Sequence, residues 1–437
     1  MLEQNLSSRG GQIHVIGLLI CAVVVAGCAS FEPKPLDGWP DPARTQTAEK
    51  EQVRVSAGIL GDEHAQQVFG VNLADVGLQA IWLRIDNRSE RDWWLLVSAL
   101  DPRYYSPDEA AVLFHPIMSN ENDIRVTEHF RRLSMPLKTS EGEVSEGYIL
   151  APRHEGGRYV SIPLLSSNRL LDFGFALPLP DGEFDYEELE IDRLLSGQVI
   201  VDLDVDGMRD VLREAPCCTR NEAGDREGDP LNLVMVGDVD DVIASLSRGG
   251  WSFTHRIDSH TVWRMISATL SGNAYPVAPI SPLYVSGRKQ DIALQRARST
   301  IVQRNHLRLW VMPYRFDGKP VWIGQVSRDV GVKATTLSPT LTTHVIDPHV
   351  DESRENLLQS LLVAGSVKRF GFVDGAPLST PQSPSVNLTE DPYYSDGQRV
   401  FIQVVGSGNI PPEDAEYMHW GHVEAPLDVT RDWLPKD

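Results

Sequence analysis

Residues 304–328 read RNHLRLWVMPYRFDGKPVWIGQVSR, and apolar and polar side chains alternate on either side of Asp317-Gly318. An Asp-Gly pair between two alternating runs is the mark of a two-residue hairpin turn, so the stretch predicts two long antiparallel strands. Counted outward from that turn, Phe316 opposes Lys319, His306 opposes Asp329, Arg308 opposes Ser327 and Trp310 opposes Gln325. Leu307, Leu309, Val311, Gly324 and Val326 then fall on the other side, because successive side chains of a strand alternate. One face is expected to be core and the other polar, with Trp310 on it. Pro313 and Pro320 interrupt the arms, and neither can donate to the ladder, which threatens this register.

The flanking sequence fits an α+β domain at 206–405. Residues 231–237 read as a buried strand, and 238–247 as a short helix with Val242, Ile243 and Leu246 on one face and Gly249-Gly250 as its stop. Helices are also expected at 261–270 and from Asp347-Pro348 to Leu362, with Asp347 as N-cap. Strands at 367–373 and 399–405 close the domain. Upstream, residues 51–205 are rich in strands and turns, which predicts an immunoglobulin-like β-sandwich. Within it, 81–87, a polar turn at 88–92 and 93–97 read as a hairpin, and further strands are expected at 147–151, 158–164 and 171–177. Ser106-Pro107-Asp108-Glu109 predicts a short helix with a capping box.

The ends carry the cellular address. Residues 15–27 form an apolar run, too short for the roughly 20 residues of a spanning helix, and they read as a signal-peptide core. The run closes on Val25-Ala26-Gly27-Cys28, which resembles a bacterial lipobox. That resemblance implies cleavage after residue 27, lipid on Cys28 and, with Ala29 following, sorting to the outer membrane on its periplasmic side. Residues 28–50, with Pro33, Pro35, Pro40 and Pro42, are expected to form an extended tether, and the Pro-rich 406–437 a wrapping tail.

At 437 residues the chain exceeds what one hydrophobic core supports, so it is multidomain. Its ordinary globular composition excludes wholesale disorder, fibres and multi-span membrane proteins. A formal charge of −21 disfavours binding to nucleic acid. Cys21 leaves with the signal and Cys28 is the acylation site, so the body keeps only Cys217-Cys218. These two are inert thiols, a vicinal disulfide, or intermolecular or metal-linked ligands.

A series of motifs then resembles one known family, the LssY C-terminal domain. They include Asp229-Pro230-Leu231-Asn232, Gly250-Trp251, Gly287-Arg288-Lys289-Gln290-Asp291, His306-Leu307-Arg308-Leu309-Trp310, Asp329-Val330-Gly331 and Thr343-His344-Val345-Ile346-Asp347-Pro348-His349-Val350-Asp351. The resemblance spans about 170 residues from Gly228 to the segment ending at Gly397. The family name comes from a component of a type I secretion system and implies no established reaction.

Candidate chemistry falls in three groups. His306, Asp329, His344 and Asp351 are candidate catalytic residues expected to line one polar cleft, with a histidine as general base. Their nitrogen and carboxylate donors also suit a divalent metal such as zinc, manganese or iron, although no metal or cofactor motif is present. Arg288, Lys289, Arg296, Arg298, Arg304 and Arg308 stand against Asp291 alone and invert the chain's negative charge. With Trp310, four of them (Arg288, Lys289, Arg304 and Arg308) are the candidate ligand-binding surface for an anionic ligand or an envelope protein. His419 and His422 are a weak metal-like pair. The chain is therefore expected to be an envelope-anchored lipoprotein with a ligand- or partner-binding domain, accessory to secretion or envelope maintenance. The alternative is a metal-dependent or His/Asp hydrolase acting on an envelope substrate.

Overall fold

The computed structural model describes residues 31, 33–35, 39–41, 44–101, 103–114, 121–154, 158–177, 179, 189, 191–253, 281–297, 304–334, 342–406 and 410–420. The chain is β-rich and multidomain, with several sheets. A ten-stranded mixed sheet organises the C-terminal half. Its centre is Leu233–Val236, antiparallel to Lys319–Ala334 and parallel to Ser395–Val404. All four of its residues are buried, as a strand covered on both faces requires. On one face Leu233, Met235, Leu307, Leu309, Trp322 and Ile402 pack with Val242, Ile243 and Leu246 of helix Val239–Arg248 and with Leu357 and Leu361 of helix Val350–Val363. On the other, Val234, Val236, Phe316 and Phe401 meet Met208 and Leu212 of helix Val205–Glu214. A small second sheet, Glu227–Pro230, Cys218–Arg220, Tyr284–Val285 and Arg288–Lys289, lies beside it.

The hairpin Arg304–Phe316 and Lys319–Ala334 turns where expected. Asp317 at φ 51° and Gly318 at φ 72° are both left-handed, the requirement of a type I′ turn. Phe316 opposes Lys319 and Arg315 opposes Pro320, but the register then shifts between Val311 and Arg315. Beyond the bulge His306 opposes Ser327, Arg308 opposes Gln325 and Trp310 opposes Ile323, each two residues from the expected partner. Pro313, which has no N–H, lies in the irregular segment, and Tyr314, Arg315 and Phe316 pair on their other side with the parallel strand Val201–Leu203. A shift of two leaves every side chain on its original face. Leu307, Leu309, Val311 and Val326 are therefore core as expected.

In the N-terminal half two four-stranded sheets face each other. One is ordered Thr45–Lys50, Val53–Ile59, Leu78–Asn87, Val144–Pro152, and the other Lys138–Thr139, Trp93–Leu95, Arg158–Ser166, Arg169–Leu177. Val53, Val55, Ile81, Leu83 and Ile85 of the first share one core with Trp93, Ile162, Leu164, Phe173 and Phe175 of the second. The outer side of the first sheet is covered too. Leu78, Ala80 and Trp82 pack there with Phe69, Ala110, Val126 and Phe130 of three helices. The Ser106 capping box forms with Glu109.

Several expectations change. Leu78–Asn87 and Trp93–Leu95 do not form a hairpin but lie in opposite sheets. Asn87 directs that crossing, its side-chain amide donating to the carbonyls of Arg91, Thr139 and Ser140. The 28–50 stretch is not wholly a solvated tether, since Thr45–Lys50 is a strand and Phe31 and Trp39 pack on the helical layer. The 51–205 boundary is also too late. Ile191, Leu194 and Leu195 join the C-terminal core, and Val201–Leu203 joins its sheet. Glu416–Met418 of the expected tail is a strand, and Trp420 is buried. The expected helix at 261–270, Cys28, Ala29 and His422 lie outside the described residues.

The two halves meet at Arg248. It donates to the Gly406 carbonyl and the Tyr159 hydroxyl, pairs with Asp172 at 3.1 Å and lies 4.8 Å from the Tyr159 ring centre.

Candidate functional site

The polar face of the long hairpin is interior rather than solvated. None of Gln295, Arg304, His306, Arg308, Gln325, Ser327 and Asp329 is more than 6% exposed. Three neighbouring strands place them. Gln295 of Ile292–Ala297 opposes His306, and His306 in turn opposes Ser327. His306 Nε2 lies 2.5 Å from Asp329 Oδ2, a carboxylate acceptor that sets the protonated nitrogen as Nε2. Arg304 Nη1 donates to Gln295 Oε1 at 2.8 Å, and its Nε stands 3.5 Å from Asp329 Oδ2. Arg308 donates to Gln325 Oε1 at 2.8 Å and to the Ser281 carbonyl at 3.0 Å.

Burial dominates the electrostatics. It drives His306 down to about 4 against the opposing pull of Asp329, so the imidazole is neutral at neutral pH. It also lowers Arg308 to about 10 and raises Asp229, whose charge interacts with Arg308. Among the described residues, Arg308 Nε, Gln325 Nε2 and Asp229 Oδ1 are buried with no hydrogen-bond partner. Two unused donors and one unused acceptor at one buried location are uncommon, because such groups are normally satisfied by protein, water or ligand.

The expected basic surface does not form. Arg304 and Arg308 are inside, on a sheet face that is itself covered by other parts of the chain. Arg288 donates to the Val311 carbonyl at 2.5 Å and pairs with Asp291 at 3.3 Å. Burial pushes that carboxyl up to about 6 even as its Oδ2 accepts the Val311 N–H at 2.6 Å. Lys289 is exposed, and Arg298 lies outside the described residues. Trp310 is not a stacking platform. It is 1% exposed, donates Nε1 to the Arg288 carbonyl at 3.0 Å and packs with Leu231, Leu283, Val285 and Ile323.

Asp351 belongs to a different assembly from His306. Its oxygens accept the Ser395 hydroxyl at 2.9 Å and the Asp396 N–H at 2.7 Å, and Arg354 lies 3.3 Å away. Arg354 grips Asp396 through two hydrogen bonds of 2.8 Å and sits over the Phe372 ring. This buried group fastens helix Val350–Val363 to Ser395–Val404. Asp347 is not the N-cap. His349 holds that position, and Asp347 Oδ1 accepts its N–H at 3.0 Å. His344 is placed only by its backbone, opposite Val332, and its side chain lies outside the described set. The structure thus brings His306 and Asp329 together and separates Asp351 from them.

Residues 210–398 match the family described as LssY C-terminus. This region is an LssY C-terminal domain. No curated protein and no solved structure matches the chain. The domain's buried polar group includes Asp229, Gln295 and Gln325, which the sequence did not single out as site residues. Asp229, in the small second sheet, and Gln295, between Ala293 and Ala297 on its face, carried no signal, whereas Gln325 lies in the period-2 polar run of residues 304–308 and 325–329 on two strands. That pattern is equally that of a solvated sheet face, so burial alone distinguishes it.

Proposed function

We propose that the LssY C-terminal domain is a binding module that receives an anionic group of a small envelope ligand, or of a partner protein, at Arg308 and Gln325. The observation that carries this reading is the pair of buried donors, Arg308 Nε and Gln325 Nε2, on hydrogen-bonded neighbours with no acceptor. An oxyanion supplies two acceptors to such a pair, and the guanidinium supplies charge in a dry setting. Hydrolysis is the second reading, favoured by the His306–Asp329 hydrogen bond, which could orient a base. A histidine held near 4 is a weak proton acceptor at neutral pH, which favours binding over catalysis.

The crossings between sheets after Leu78–Asn87 and after Val144–Pro152, with Trp93–Leu95 beside Arg158–Ser166, support an immunoglobulin-like spacer or docking unit. The lipobox-like Val25-Ala26-Gly27-Cys28 supports a lipid anchor, and Ala29 an outer-membrane address on the periplasmic side. A role accessory to secretion or envelope maintenance follows from that setting.

Thermal melting of the chain with inorganic phosphate and with small dicarboxylates tests the binding reading. An anion-dependent rise in Tm that disappears in Arg308→Gln is expected. No rise with any anion, or an equal rise in the variant, refutes it. For the anchor, Cys28→Ala should accumulate uncleaved precursor, and normal processing of that variant refutes the assignment.

A further inference from the structure

We propose that Cys217, Cys218 and Glu227 form a redox-gated site for a thiophilic divalent cation, closed as a disulfide and open to metal as a dithiol. The two cysteines are joined in a vicinal disulfide. Both sulfurs and a Glu227 carboxylate oxygen lie within 4.8 Å of one another, the only such group of three among the described residues. Glu227 comes from the neighbouring strand, where it opposes Arg220 and accepts its Nη2 at 3.0 Å, leaving the second carboxylate oxygen for another ligand. Cys217 is partly exposed and Glu227 exposed, so an ion can reach the group from solvent.

The segment bearing the cysteines is held from behind. Arg399, fully buried in Ser395–Val404, donates to the carbonyls of Leu212, Ala215, Pro216 and Gly375. Cys217 itself accepts the Leu231 N–H at 2.9 Å. These bonds hold the backbone before the pair and at Cys217 independently of the S–S bond, and the pairing of Cys218–Arg220 with Glu227–Pro230 holds it after the pair. Opening the bond therefore leaves the sulfurs beside Glu227. The same strand pair carries Asp229, whose carbonyl accepts the Thr219 hydroxyl at 3.2 Å, toward the polar group described above.

The chemistry balances with a dithiol reductant. Thiol–disulfide exchange breaks the Cys217–Cys218 bond, the reductant leaves as its own disulfide, and its two protons and two electrons appear as two protein thiols. Both thiols lose their protons on binding the cation, because the thiolate is the ligand. Two thiolates and one carboxylate fill three positions of a tetrahedral ion and leave the fourth for water. In the oxidised form neither sulfur carries charge, and the carboxylate alone holds metal weakly.

Titration with Cd2+ of the chain carrying Cys21→Ser and Cys28→Ser, which leaves Cys217 and Cys218 as its only cysteines, followed by thiolate-to-metal charge-transfer absorption, tests the site. The reduced chain is expected to bind one ion with this band, and the oxidised chain to show none. Cys217→Ser and Cys218→Ser should each abolish the band, and Glu227→Gln should weaken binding at least about tenfold. The same reduced chain alkylated at its two thiols makes the same comparison without a further substitution that could disturb folding. Equal charge-transfer binding by oxidised or alkylated protein, or unchanged affinity in Glu227→Gln, overturns the proposal.

Discussion

Acidification should remove the stability that neutral His306 contributes to the C-terminal domain, in the sense opposite to Asp291, whose raised carboxyl takes up a proton more readily in the folded chain. Burial holds the folded-state pKa of His306 at about 4, against 6.5 for an unperturbed histidine. Between those values the unfolded chain binds a proton that the folded chain refuses, so stability falls as pH falls. The contribution is complete above about pH 6.5 and is lost progressively down to about pH 4. At 1.36 kcal/mol per tenfold change in proton affinity, the difference amounts to roughly 3 kcal/mol. Urea unfolding at a series of pH values from 7 to 4, in wild type and in His306→Gln, measures it. His154 provides the necessary control, because burial also lowers it to about 4 in the N-terminal half. A His154→Gln chain should retain the His306 component. The wild-type curve is expected to drop more steeply than that of His306→Gln across this window. Parallel curves would refute the reasoning, and would mean that His306 takes up its proton in the folded state near its ordinary value.

Three further outcomes follow from the packing. Arg354→Met leaves Asp351 and Asp396 buried without their cation and should cost about 3–5 kcal/mol by denaturant titration. Gly318→Ala places a Cβ at φ 72° in the hairpin turn and should cost about 1 kcal/mol, read as a lowered urea midpoint. Arg248→Ala removes the contacts to Tyr159, Asp172 and Gly406, so protease should cleave between the halves faster than in wild type while each half keeps its own melting transition.

Local chemistry accounts for what was legible in the sequence. Asp317-Gly318 specifies its turn because both residues must adopt left-handed conformations there, and Ser106 with Glu109 specifies a helix start through their own backbone. Strand alternation likewise determined that His306, Arg308 and Asp329 share a face and that Leu307 and Leu309 share the opposite one. The two-residue register error left these assignments intact, because the period of a strand is two. The tertiary structure decided what each face meets. Nothing local to Trp93–Leu95 distinguishes a hairpin partner of Leu78–Asn87 from a strand in the facing sheet, since both bury alternate residues. The bulge before Arg315 depends on Val201–Leu203 arriving more than a hundred residues from its partner. Whether Arg304, His306 and Arg308 face water or the interior depends on chain segments distant from them, including Ser281 and Asp229. Burial is a property of those long-range contacts, and here it turns an apparent basic surface into an enclosed polar group with a neutral histidine.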